Sequence, residues 1–221
     1  MSLEWMVIRG SGVAAVALLS AATIWGLLVS SKLLGRLVKA KPLTWFHESL
    51  GVGALLATVV HIGVLSVHDF LDFTWAEILI PGTSDWKPLA VTMGIAGFYG
   101  MVVVSTSFYF KKWISQKRWR TIHYASFGVF ASSLLHGIWA GTDTSSPLMI
   151  GLYLGATIAV FSLVALRIVE ARATAVRSGN PIGAGHPQPR GLPTDPLVIG
   201  ISLCVGEPQE DRGDQRPEQA W

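Results

Sequence analysis

TWFHESLGVGALLATVVHIGVLSV, residues 44–67, is an apolar run of spanning length that carries two histidines and a single carboxylate. About 20 mostly apolar residues cross the hydrocarbon core of a bilayer as a helix. An ionisable side chain in that environment is costly, so His47 and His61 each need a partner or a task. They stand fourteen residues apart. At about 100° and 1.5 Å per residue, fourteen steps return close to the same helix face, about 21 Å further along the axis. A second run repeats the arrangement. TIHYASFGVFASSLLHGIWAG, residues 121–141, carries His123 and His136, thirteen residues apart and about 20 Å along the axis. Two spanning helices that each offer two imidazoles at two depths suit two metal centres held between them. Two bis-histidine haems stacked across the membrane are the arrangement this predicts, which would make the chain a wire for electrons.

Composition agrees with a membrane setting. The 221 residues are 51% hydrophobic and 14% charged, with a mean hydropathy of +0.48; soluble domains carry about 25% charged residues. The single cysteine, Cys204, excludes an internal disulfide framework and a cysteine-ligated iron–sulfur cluster. The net charge of +3 is modest, and the basic residues lie beside the apolar runs. They therefore read as topology determinants and not as a nucleic-acid surface.

The fold class expected is an all-α integral membrane protein, a bundle of five transmembrane helices over about 13–34, 44–67, 88–110, 121–141 and 147–169. The first run exceeds the 7–15 residues of a signal-peptide core and is followed by basic residues, so it reads as a helix. Arg36, Lys39 and Lys41 lie in the first loop; Lys111, Lys112, Lys117, Arg118 and Arg120 in the third; Arg167, Arg172 and Arg177 after the fifth span. Asp69, Asp72, Glu77 and Asp85 dominate the second loop, and Asp143 the fourth. The excess of Lys and Arg on one side predicts a cytoplasmic C-terminus and an N-terminus outside. Residues 1–177 form the expected helical domain. Residues 178–221, rich in Gly, Pro, Gln and charge, form a largely disordered cytoplasmic tail. Its apolar stretch Leu197–Val205 is too short to span.

The second and fourth spans run the same way through the bilayer. His47 and His123 therefore meet near the cytoplasmic side, and His61 and His136 near the outer side. An offset of about 140° separates His123 from His136 on an ideal helix. That predicts a distortion of the fourth span or different side-chain rotamers at its two ends. A membrane histidine is otherwise a hydrogen-bonded helix contact; four at two matched depths argue for ligation.

The pattern His47-x13-His61, then His123-x12-His136 two helices later, resembles the ferric reductase-like transmembrane domain superfamily. NADPH oxidases, ferric reductases and bacterial haem-binding membrane subunits belong to it. The resemblance covers about residues 10–170. It implies two b-type haems, the inner on His47 and His123 and the outer on His61 and His136; a single haem is the reduced form of this expectation. The sequence departs from the family in two ways. Five spans are expected where the family core commonly has six, and no flavin or nicotinamide domain is expected after them. Electrons are then expected from a separate flavoprotein subunit or a quinol, and the acceptor is ferric iron, oxygen or an extracytoplasmic redox protein.

Two rival readings stand beside this one. One is a quinol-fed haem subunit serving an extracytoplasmic reductase. The other is a metal or proton transporter using the same histidines, although such relays usually add intramembrane carboxylates and only Glu48 is at hand. His68 at the outer edge reads as an exit site or a water-exposed interfacial residue, and His186 as solvated. Arg118, Arg120 and Lys41 border the inner pair as candidate propionate partners or topology residues. Trp45, Trp113, Trp119 and Trp139 read as an interfacial belt. Gly51, Gly53, Gly94, Gly97, Gly128 and Gly137 read either as room for macrocycles or as close helix packing. The expected location is the plasma membrane.

Overall fold

The computed structural model describes residues 3–30, 40–67 and 73–177. His68, Asp69, Asp72, the basic residues Lys32, Arg36 and Lys39, and the tail with His186 and Cys204 lie outside the described residues, as does the Lys41 side chain. Among the described residues every regular element is helical: α1 (Leu3–Ser30), α2 (Ala40–Leu65), α3 (Trp75–Leu79), α4 (Pro88–Ser107), α5 (Gln116–Ala140) and α6 (Pro147–Arg177), with a 3₁₀ turn at Tyr109–Lys112.

Local chemistry explains most of the boundaries. Pro88 and Pro147 open α4 and α6, where a missing N–H costs nothing and φ is already helical. Ser115 caps α5, its hydroxyl accepting from the Arg118 N–H at 3.4 Å. α1 begins ten residues before the apolar run starts, and α6 runs eight residues beyond its expected end, to Arg177. Hydropathy marks the part of a helix that is apolar, not the part that is hydrogen-bonded. The short α3 has no counterpart among the five expected spans. Thr74 and Glu77 form a capping box at its start, a four-residue signature that hydropathy does not register.

Four helices are long and apolar enough to cross a membrane: Leu3–Ser30, Pro42–Leu65, Pro88–Ser107 and Pro147–Arg177. The chain is thus built as a multi-pass membrane protein. α5 has the length, 25 residues, but a more polar sequence. Lys117, Arg118 and Arg120 stand in its first turns, and Ser132, Ser133, His123 and His136 follow.

Two hairpins, α1/α2 and α4/α5, form the body of the bundle, and α6 packs on α1. The α1/α2 pair is antiparallel, because residue 8 meets residue 61 and residue 22 meets residue 47. Leu19, Ala54, Met101 and Val129, one from each of α1, α2, α4 and α5, form a buried cluster. Ala54 is 0% exposed and stands seven residues from both His47 and His61, so this layer lies at mid-depth. A second cluster, Leu27, Phe130, Ala156 and Val160, ties α6 to α1 and α5. Large side chains such as Leu56, Val103, Leu154 and Phe161 stay exposed around the outside, as expected for surfaces that meet lipid.

Candidate functional site

α2 and α5 bring the four sequence-predicted histidines together as two pairs. The His47 and His123 ring centroids are 6.0 Å apart, with their planes at 75°. His61 and His136 line one cavity of about 450 Å³ and lie within electrostatic range of each other. Residue 47 thus pairs with 123 and residue 61 with 136, so α2 and α5 run parallel. α5 is an unbroken α-helix, and the expected distortion between His123 and His136 is absent.

Three of the four rings are held by backbone carbonyls of neighbouring helices. His47 Nδ1 donates to Ala22 O at 3.0 Å and His61 Nδ1 to Ile8 O at 2.9 Å, both on α1. His136 Nδ1 donates to Ala90 O at 2.8 Å, on α4. A carbonyl only accepts, so each of these rings carries a proton on Nδ1, and the neutral ring then has its lone pair on Nε2. Metal-bound histidines are oriented in this way by their second nitrogen. His123 is held differently. Its ring stacks on Trp119, one turn earlier on α5, at 5.1 Å and 16°, and the Lys111 ammonium sits 4.5 Å over the Trp119 ring. The Trp119 Nε1 is buried and finds no acceptor among the described residues.

The two pairs sit at chemically different ends. Lys111, through Trp119, places the His47–His123 pair at the basic end. The cavity around His61 and His136 opens toward Glu77, Asp85 and Asp143. At its rim Arg9 of α1 pairs with Asp143 of the α5–α6 loop. The Lys87 ammonium donates to Trp139 O at 2.8 Å. Glu77 accepts from the Thr74 N–H and hydroxyl, which hold its carboxyl below the usual range.

Of the expected supporting residues, Arg118 and Arg120 are exposed, and Glu48 is half-buried beside His47. Trp45, Trp113 and Trp139 are exposed as a belt requires, whereas Trp119 turns inward. The Arg9–Asp143 pair and the Trp119 stack carry no sequence signal of their own. The stack does have the i, i+4 spacing that brings side chains together on a helix.

Comparison with protein-family models, with curated proteins and with solved structures gave no match.

Proposed function

We propose that this chain is a haem-b membrane protein that carries electrons across the bilayer, with one haem between His47 and His123 and a second between His61 and His136. The carrying observation is the set of three Nδ1–H···O=C bonds. They leave Nε2 free as a ligand at two depths of one bundle.

The residues suit the group in four respects. The His47 and His123 ring centroids, 6.0 Å apart, are close enough that both rings would hold one metal between them at metal–nitrogen bonds of about 2.0–2.1 Å. Among the described residues there is no cluster of three or more His, Cys, Asp or Glu able to hold an ion. The histidines come in twos, His47 with His123 and His61 with His136, which suits a macrocycle that brings its own four nitrogens. The outer cavity is within the size range of cofactor sites and has the usual apolar lining with a few polar groups. The orphaned Trp119 Nε1 is a donor suited to an anionic propionate.

When bound, such a group supplies a one-electron couple whose potential is set by axial ligands, burial and hydrogen bonding. The chain's own part is positional. The carbonyls of α1 and α4 set the tautomer and direction of three rings, and Trp119 steadies the fourth. The Leu19–Ala54–Met101–Val129 layer keeps water out of mid-depth and holds the two centres apart.

In this reading α5 is the fourth of five spans, with His123, Ser132, Ser133 and His136 partly buried while Lys117, Arg118 and Arg120 stay exposed at its start; Ser132 donates to Met93 O at 2.6 Å. Basic residues gather at the His47–His123 end and acidic ones at the His61–His136 end, which supports a cytoplasmic C-terminus and an outer N-terminus in the plasma membrane. A separate flavoprotein or a quinol serves as donor on the inside. The acceptor outside is ferric iron, oxygen or a redox protein. The test is a pyridine haemochrome assay with reduced-minus-oxidised spectra on purified protein. Two low-spin b haems per chain are expected, with one lost in His47→Ala and the other in His136→Ala. Retention of both haems in both variants would refute the assignment.

A further inference from the structure

Gly12 and Gly26 on α1 are fourteen residues apart, the same interval as His47 and His61 on antiparallel α2. A Cβ added at Gly12 would lie 3.2 Å from His61 Nδ1, and one at Gly26 would lie 3.0 Å from His47 Cε1. On α4, a Cβ at Gly94 would lie 2.6 Å from His136 Nδ1. Three histidine rings therefore rest on helix surface where a side chain is missing. In each case the ring donates to the carbonyl four residues before the glycine: Ile8 before Gly12, Ala22 before Gly26, Ala90 before Gly94.

Helix geometry accounts for this recurrence. The carbonyl of residue i−4 accepts the N–H of residue i. The Cα–Cβ bond tilts toward the helix N-terminus, so a side chain at i covers the turn that contains that carbonyl. Glycine removes the cover. The carbonyl's second lone pair is then open to an imidazole from the next helix. Other glycines in the bundle do not share the pattern. Gly51, Gly63, Gly128, Gly151 and Gly155 have nothing within 4 Å of an added Cβ. Gly97 is as tightly placed as Gly94, but against Ser133, with its nearest atom Oγ at 2.6 Å.

We propose that Gly12, Gly26 and Gly94 are positioning residues: each uncovers the carbonyl that fixes a histidine Nδ1–H and thereby aims its Nε2 lone pair. What the lone pair binds rests on the haem reading above; the placement of the proton does not. The outer pair has two such seats. The inner pair has one, on His47, with the Trp119 stack serving His123.

The experiment compares Gly94→Ala, Gly12→Ala and Gly26→Ala with Gly97→Ala in the full-length, ¹⁵N-histidine-labelled protein. Haem retention and the low-spin electron paramagnetic resonance signal of each centre are read separately. Loss of a partner that orients a ligand typically weakens metal affinity 10- to 100-fold. Gly94→Ala and Gly12→Ala are expected to weaken retention at the outer centre by roughly that factor and to shift its signal, leaving the inner one unmoved. Gly26→Ala is expected to do the reverse. Gly97→Ala, equally crowded but touching no ring, is expected to move neither. Equal effects of Gly94→Ala and Gly97→Ala, or no effect of the three seat variants, would overturn the proposal. If Gly94→Ala does not fold, Gly12→Ala gives the same readout with a milder contact. A wild-type protein that takes up no haem would remove the haem reading alone. The ¹⁵N shifts of the metal-free protein then decide: Nδ1-protonated His136 that loses this form in the seat variant upholds the proposal, and Nε2-protonated His136 in the wild type overturns it.

Discussion

Trp119→Phe separates what the indole ring does from what its N–H does. The ring stacks on His123 and lies under Lys111, and phenylalanine keeps an aromatic face for both. The N–H is buried without an acceptor among the described residues. A buried donor left unsatisfied costs about 1–3 kcal/mol, so its removal stabilises the haem-free protein. The smaller ring gives back some of that gain: loss of packing in volume-reducing swaps costs about 1 kcal/mol or more, reduced here because Trp119 is only half-buried. The two effects oppose each other, and the haem-free protein should change by less than about 1 kcal/mol, or about 4 °C in Tm for a chain of this size. The haem-loaded protein loses more. A hydrogen bond to a charged acceptor such as a propionate contributes about 1.5–3 kcal/mol, equivalent to roughly a 10- to 150-fold weaker inner haem. The assay is haem transfer to an apo-globin acceptor, followed at the inner-centre spectrum, beside thermal unfolding of the haem-free protein. An inner haem held as tightly as in the wild type would refute the assignment of Trp119 as donor. So would a haem-free protein destabilised as much as the loaded one.

Three further outcomes follow from the same structure. Ala54→Leu forces extra methylenes into a site with no exposed surface and should cost about 1–3 kcal/mol, read as a lower midpoint of thermal unfolding in detergent with weakened retention at both centres; an unchanged midpoint would mean that the mid-depth layer is not packed as described. Gly51→Ala meets nothing within 4 Å and should stabilise α2 by about 0.5–1 kcal/mol through helix propensity, with both haem spectra unaltered. Glu77 is held below its ordinary value near 4.5 by the Thr74 N–H and hydroxyl. A depressed carboxyl contributes stability that is present in full above the ordinary value and is lost as pH falls through the lower folded one. The cap of α3 should therefore be insensitive to pH between 7 and 5 and loosen only in more acidic solution, and a ¹³C titration of the Glu77 carboxyl with a midpoint at or above 4.5 would contradict this.

The pairing of His47 with His123 and of His61 with His136 was legible in residue spacing, because rise per residue converts sequence interval directly into distance along a helix. Pro88 and Pro147 stand where the third and fifth expected spans begin and do open α4 and α6, whereas Ser115 caps α5 six residues before the expected start of that span at Thr121. α5 was harder to weigh by hydropathy, since an average over a helix cannot tell polar residues turned inward from polar residues turned outward. α3 went unread because its signature, Thr74 with Glu77, lies in hydrogen bonding and not in apolar pattern. The rotation between His123 and His136 suggested either a distorted helix or different rotamers at its two ends; α5 is regular, which removes the first of these.

Which segments are apolar, where imidazoles stand along them, and which end of each is basic follow from residue order alone. These are properties of single helices, set by composition and a fixed rise. Which nitrogen is left free on His47, His61 and His136 is settled between helices. That depends on carbonyls of Ile8, Ala22 and Ala90, which come from other helices, and on glycines that leave those carbonyls uncovered. An interhelical hydrogen bond requires two backbones to approach at a particular height and rotation, and neither quantity is encoded in the periodicity of one helix alone.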